Sequence, residues 1–327
     1  VTDIPLSGAG TATLGGASSL DKLANLSLAN SDAAVTVTSA GTGAVTLNLD
    51  KVGTAAAAVV SVDGGAASIT GATINATTAS KVDFVGDAVT ALTVNATGSL
   101  DLTGSSMNVV KTMTVTGAGA VTLAEDNNGA SLTSIDASAN TGGTNASFVL
   151  ATGATFKGGD GADTATFAAT TKAQTMGGGN DIVGVGVTAL GAGGSIDGGT
   201  GVNTLVMTGD NAETATADAA FEATISNFQA LAVDIVADGA TDTINLANLD
   251  DINYVVTPGA VAAVAQVTEV TTTAGVTDDA ADTVSLDVGG TTFTSDAGIY
   301  ANPTAIAAEL AGKINANAAY GATAVDA

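Results

Sequence analysis

Short runs of alternating apolar and polar residues return at steps of roughly 20 residues through the first half of the chain, and this recurrence restricts the fold more than any other feature. Val35-Thr-Val-Thr38, Val45-Thr-Leu-Asn-Leu49, Leu92-Thr-Val94, Leu100-Asp-Leu102, Met113-Thr-Val-Thr116, Val121-Thr-Leu123 and Leu132-Thr-Ser-Ile135 are rich in Thr and Val and bounded by Gly, Asn, Ser or Asp. Period-2 alternation with turn punctuation is the mark of a half-buried strand. These strands are too short for independent hairpins, and few Asn-Gly turns join them. Stacked coils solve the problem, because each strand then pairs in parallel with its copy one coil above, as Val94 with Val115. The expected class is mainly β, a right-handed parallel β-solenoid or β-roll, followed by a small α+β module. An antiparallel sandwich of many short strands is the competing architecture.

Composition agrees with a thin interior. Hydrophobic residues reach 46% but aromatics only 3%, so the core must be built from small side chains such as Ala and Val. Three regions are expected: residues 1–150, a Thr/Val-rich solenoid; 151–257, a Gly- and Asp-rich roll with an extension; and 258–327, the α+β module. In the extension, Glu213 to Phe228 carries apolar residues at helical spacing, and Leu231 to Val236, Thr243 to Leu246 and Ile252 to Val256 read as strands. Beyond Pro258, Val264 to Val270 is strand-like. Val284 to Val288 and Thr291 to Thr294 flank Gly289-Gly290 as a hairpin. Asn302 with Pro303 opens a helix bearing Ile306, Leu310 and Ile314 on one face. Ala324-Val325 could begin a further strand.

Three segments carry one chemical pattern. Gly158-Gly-Asp-Gly-Ala-Asp-Thr-Ala-Thr166 fits the calcium-binding nonapeptide Gly-Gly-x-Gly-x-Asp-x-U-x, in which U is apolar. Gly177-Gly-Gly-Asn-Asp-Ile-Val183 fits from the second glycine onward. Gly198-Gly-Thr-Gly-Val-Asn-Thr-Leu-Val206 fits with Asn203 in place of the acid. Glycines let backbone carbonyls turn toward a common point, and calcium takes six to eight hard oxygens. One half-coil cannot supply them, so neighbouring coils must share. The candidate metal residues are Gly158, Asp160, Gly161, Asp163, Gly177, Gly179, Asp181, Gly199, Gly201 and Asn203, with Ca2+ as the only cofactor. Asp163 and Asp181 are two nonapeptides apart, one full coil. No glycine lies between Phe167 and Thr175, so calcium is expected on one side of the roll, in two sites. The second is the weaker, because Asn203 is uncharged.

At these residues the chain resembles the repeats-in-toxin (RTX) proteins, and more narrowly the RTX-containing surface-layer (S-layer) proteins of Gram-negative bacteria, Caulobacter type. The likeness rests on Leu132-Thr-Ser-Ile-Asp-Ala-Ser-Ala139 leading into Phe156-Lys-Gly-Gly-Asp-Gly-Ala-Asp163, on Ile225-Ser-Asn-Phe-Gln-Ala-Leu231, and on Thr243-Ile-Asn-Leu-Ala-Asn-Leu249. The nonapeptides are few, one lacks its Asp, and the segment after Pro258 departs from the pattern. The resemblance implies type I secretion as an unfolded chain, calcium-triggered folding outside the cell, and assembly into a lattice.

The charge excludes several alternatives. The 327 residues carry 32 Asp and Glu against seven Lys, no Arg and no His, for a net charge of −25. Such a chain lacks the basic footprint of a nucleic-acid binder and of a binder of anionic membranes. No run of about 18 apolar residues exists to span a bilayer as a helix. The chain opens at Val1 without a signal-peptide pattern and reads as a mature product or a fragment. Without His there is neither a His-Glu-x-x-His zinc site nor a Ser-His-Asp triad. The adjacent acids Asp250-Asp251 and Asp278-Asp279 read as solvated loop residues. The chain is therefore expected not to be an enzyme. It is expected to be an extracellular bacterial cell-surface protein that forms homo-oligomers through lattice or filament contacts, with cell-surface polysaccharide as a further candidate partner. An adhesin or biofilm-matrix protein on the same calcium-dependent scaffold is the alternative. Four Asn-x-Ser/Thr sites, at Asn25, Asn75, Asn95 and Asn145, are expected by chance in this composition.

Overall fold

A computed structural model of the chain describes residues 3–8, 11–15, 25–31, 34–38, 43–53, 58–61, 69–86, 88–123, 131–233, 243–249, 252–256, 285–288, 291–294, 309–310 and 312–314. They fall into two compact units, Val1–Pro258 and Gly259–Ala327. In the first, strands alternate between an 11-stranded and a 12-stranded sheet, and each strand pairs with the strands one coil before and one coil after it. Every pairing described in this unit is parallel, so the unit is a β-solenoid and not an antiparallel sandwich.

The expected stacking of Val94 on Val115 is present. Ile135 lies over Met113, and the register shifts only beyond that pair, between Thr114 and Thr116. The solenoid runs without a seam across residue 150, with Ala146 paired to Ala165 in the next coil.

Alternation sorts the side chains. Leu26, Leu47, Ile74, Val94 and Val115 form one inward column and are buried. Each such side chain contributes about 1.5–3 kcal/mol by leaving water. Where the coils widen, Phe156 and Phe167 fill the interior edge to face, 6.5 Å between ring centres. The outward positions hold amides and hydroxyls that bond along the axis. Asn75 Nδ2 donates to Asn48 Oδ1 at 2.8 Å, Asn95 Nδ2 to Asn75 Oδ1 at 2.7 Å, and the Thr116 hydroxyl to Asn95 Oδ1 at 2.7 Å. Such ladders arise only when parallel strands stack in register.

Two expectations in the extension are corrected. Glu213 to Phe228 is not one helix: an α-helix spans Gly209–Ala215, a 3-10 turn Glu222–Thr224, and Ile225–Ser226 is a strand. Thr208 caps the helix by accepting from the Asn211 N–H. Pairing of Ile225 with Ile196 in the sheet then outweighs helical periodicity. Thr243 to Leu246 is not a strand but leads into a 3-10 turn, Leu246–Asn248. The side chains of Thr216 and Asn245 take the N–H groups of Asn245 and Ala247 that a ladder would need. The strands expected at Leu231 and Ile252 form as Ala230–Val233 and Tyr254–Val256.

In the second unit, Ser285–Val288 and Thr291–Thr294 pair antiparallel. Residues 309–310 and 312–314 are helical, with Leu310 buried. The expected strands at Val264 to Val270 and Ala324-Val325, and the helix start at Asn302-Pro303, lie outside the described residues.

A core and a surface substitution should separate the two kinds of column. Phe156→Ala is expected to cost about 3–5 kcal/mol and Asn75→Ala about 1 kcal/mol, measured by urea denaturation. Equal costs would contradict the division between a packed interior and a hydrogen-bonded exterior.

Candidate metal centre

The alternation that buries the core also turns the acids inward. Asp163, Asp181 and Asn203 each immediately precede a strand: Thr164–Phe167, Ile182–Val185 and Thr204–Met207. Ala165, Val183 and Leu205 point into the interior, so the residue two earlier in each coil does too. Asp163 is 1% exposed and Asp181 and Asn203 are 0% exposed.

These side chains form a ladder with the backbone. The Thr144 N–H donates to Asp163 Oδ1, and the Asp163 N–H donates to Asp181 Oδ1 at 2.7 Å across an 18-residue coil. The Asp181 N–H donates to Asn203 Oδ1 at 3.0 Å, across 22 residues, and the Asn203 N–H to Gln229 Oε1 at 2.8 Å. Each rung thus accepts one hydrogen bond from the coil before it. Asp163 gains a second donor through Oδ2, the Gly159 N–H at 2.8 Å. Asp181 Oδ2 is buried and has no hydrogen-bond partner.

The electrostatics follow from that inventory. Burial pushes the Asp163 carboxyl up to about 6, against the opposing pull of the Thr144 and Gly159 N–H groups. Burial pushes Asp181 up to about 7; one N–H opposes the shift and the Asp163 charge adds to it. Lys157 and Lys172, the lysines of these coils, are exposed, and neither charge acts on the pair. An unpaired carboxylate in low dielectric costs several kcal/mol. A buried oxygen without a donor is the sharpest form of that cost.

The glycines let the turns of successive coils approach closely. A Cβ at Gly158 would run into the Met176 carbonyl and Asp163 Oδ2, and one at Gly177, whose φ is 94°, into the Gly159 carbonyl. At Gly158 a backbone oxygen and a carboxylate oxygen thus come together where a side chain is absent. Gly179, Gly199 and Gly201 share the left-handed conformation, and Gly161 packs against the 142–143 turn of the coil before. Asp160 is exposed and stands outside the ladder.

Four residues of the site escape the nonapeptide pattern: Asn140, Thr144, Asn227 and Gln229. Asn140 is buried, and its Nδ2 donates to the Gly117 and Gly119 carbonyls at 3.0 Å each. Its one sequence signal is a polar residue at an inward strand position. Gln229 lies 26 residues from its partner, beyond the inserted helix, where no coil spacing points to it.

The donor set is that of a hard cation. Among the described residues no three carboxylate, imidazole or thiol side chains gather at one point. The oxygens present are two carboxylates and turn carbonyls, which suit calcium and not zinc. The corner without glycines is closed differently. Gln174 Oε1 accepts from the Phe156 N–H, and its Nε2 donates to the Ala154 carbonyl and the Thr170 hydroxyl, leaving no charge to offset. Neither family models nor curated proteins nor solved structures give a match to this chain. Among the described residues no helix is long and apolar enough to cross a membrane.

The raised carboxyls make a pH prediction. Folded Asp163 and Asp181 hold protons that the unfolded chain, with carboxyls near 3.8, releases. In chelator their contribution to stability is therefore full below about pH 4 and is lost as pH rises through about 6–7. The Tm of the native sequence, measured against Asp163→Asn/Asp181→Asn, should fall across that window. A difference that stays constant or grows with pH would contradict the burial of ionisable carboxyls here.

Proposed function

We propose that this chain is a non-catalytic structural protein of the bacterial cell surface, folded outside the cell on calcium and assembled with copies of itself into an S-layer-type lattice. The observation that carries this reading is the buried Asp163–Asp181 pair in stacked glycine turns, with one carboxylate oxygen lacking any donor. Asp163 and Asp181 would hold the ion as charged ligands. The turns Gly158 to Gly161 and Gly177 to Gly179 would add carbonyl oxygens, and Gly199, Gly201 and Asn203 line the neighbouring turn. Calcium supplies there the positive charge that the protein does not.

The same ion links folding to location. A site assembled from two coils exists only in the folded chain, so binding energy becomes folding energy. A site with two carboxylates and many carbonyls fits the weaker range of calcium proteins, Kd about 0.1–1 mM, which is filled outside cells and empty within them. The net charge of −25 makes copies repel one another, and monovalent salt only shortens that repulsion to about 8 Å. A divalent ion neutralises charge as well. This is the behaviour implied by the resemblance to RTX surface-layer proteins, and the absence of His, Cys and Arg from the sequence leaves little for catalysis to use.

Calorimetry should give calcium binding with a Kd of about 0.1–1 mM, weakened at least about tenfold in Asp181→Asn. Light scattering at constant ionic strength should rise with calcium and fall with EGTA, and negative-stain images of the assembled material should show sheets. Fibres or isolated particles would replace the S-layer reading with a filament or an adhesin. Assembly that is equal in sodium alone would overturn the role of calcium.

A further inference from the structure

Two carboxamides bracket the carboxylate pair and do the same thing on either side of it. Asn140 accepts from the Thr144 hydroxyl, and its carbonyl accepts the Asp160 N–H, so it adjoins the Asp163 turn. Its Nδ2 bridges two carbonyls of the preceding turn, Gly117 and Gly119. Beyond Asp181, Asn203 Nδ2 reaches the Asn227 carbonyl at 2.9 Å and the Gly199 carbonyl at 3.5 Å. Both side chains are fully buried. The column thus reads Thr144, Asp163, Asp181, Asn203, Gln229, with Asn140 across the same corner from Thr144: two acids between neutral groups.

An amide and a carboxylate have the same shape and opposite needs. A primary amide brings two N–H donors, and a carboxylate brings only acceptors. In the Asn140 and Asn203 turns the carbonyls are met by amide protons. At Asp163 each carboxylate oxygen takes one backbone N–H, but at Asp181 only Oδ1 does, and Oδ2 is left without a donor.

We infer that Asn203, a rung of the column, and Asn140, at the corner of the Thr144 rung, are amides standing where a cation would otherwise be required, so that the column holds one divalent cation, at Asp163 and Asp181, and ends there on both sides. This rests on the calcium reading and narrows it: Asn203 is a boundary and not a second, weaker site. It also divides the solenoid into coils whose corners are held by N–H groups and one pair of coils whose corner is held by an ion.

The test counts ions on the full chain. Equilibrium dialysis in excess magnesium, which suppresses loose surface binding, gives the stoichiometry, and circular dichroism melts in calcium and in EDTA give the dependence of folding on the ion. One bound calcium per chain is expected for the native sequence, at free calcium well above the Kd proposed above. Asn203→Asp should hold two and show a larger gap between its calcium and EDTA melting temperatures, and Asn140→Asp should behave likewise. Asp163→Asn/Asp181→Asn, with no acid left in the column, should hold none and melt at the same temperature in both solutions, no lower than the native sequence in EDTA. Two ions on the native sequence, or one on both Asn→Asp variants, would overturn the boundary while leaving the calcium reading intact. A native sequence that binds none would overturn both. If an Asn→Asp variant stays unfolded even in calcium, the rung is not replaceable by an ion and the inference fails; the acid-free variant tests it separately, through a melting temperature that does not depend on calcium.

Discussion

A parallel coil places every side chain over its equivalent in the next, about 4.8 Å away, and this enforced stacking of like on like governs the rest of the molecule. For Leu47 over Leu26 the consequence is a continuous apolar column. For Asn75 over Asn48 it is an amide ladder, in which each group donates to one neighbour and accepts from another. For Asp181 over Asp163 the consequence is unfavourable, because two groups that carry the same charge when ionised stack out of reach of water with one N–H between them. A fold that tolerates apolar and amide columns without help needs something further at a carboxylate column.

The chain contains both solutions within a few coils. The glycine-free corner uses Gln174 and Thr170, neutral groups whose donors and acceptors are all matched. The glycine corner keeps its acids and leaves Asp181 Oδ2 open. If the purpose were stability alone, the amide solution would serve at both corners, since a half-satisfied polar network is worse than none. On the proposed function, retaining the acids would make stability conditional on a cation, which would suit a protein that stays unfolded in one compartment and folds in another.

Much of this was legible in the residues themselves. Parallel stacking followed from strands too short for hairpins recurring at a coil's length, and Val94 over Val115 realises it. The inward direction of Asp163 and Asp181 was contained in the spacing Asp-x-U, because residues two apart share a face of a strand. What was not legible depends on partners far away in sequence. Asn140 and Gln229 match no motif, and they matter only because coil stacking brings them to the coils on either side of the acids. Asn203 reads as a weaker acid substitute until its Nδ2 is seen to donate to carbonyls from two coils. The helix expected to Phe228 is cut short because Ile225 is drawn into the sheet, a tertiary demand that local periodicity does not carry.

The most direct measurement is an anomalous difference map from crystals grown in calcium. The account predicts a peak about 2.3–2.6 Å from Asp181 Oδ2, shared with the Asp163 side of the column, and no peak at the Asn203 turn. A map with no peak there, and with water or a lysine ammonium completing Asp181 Oδ2 instead, would contradict it.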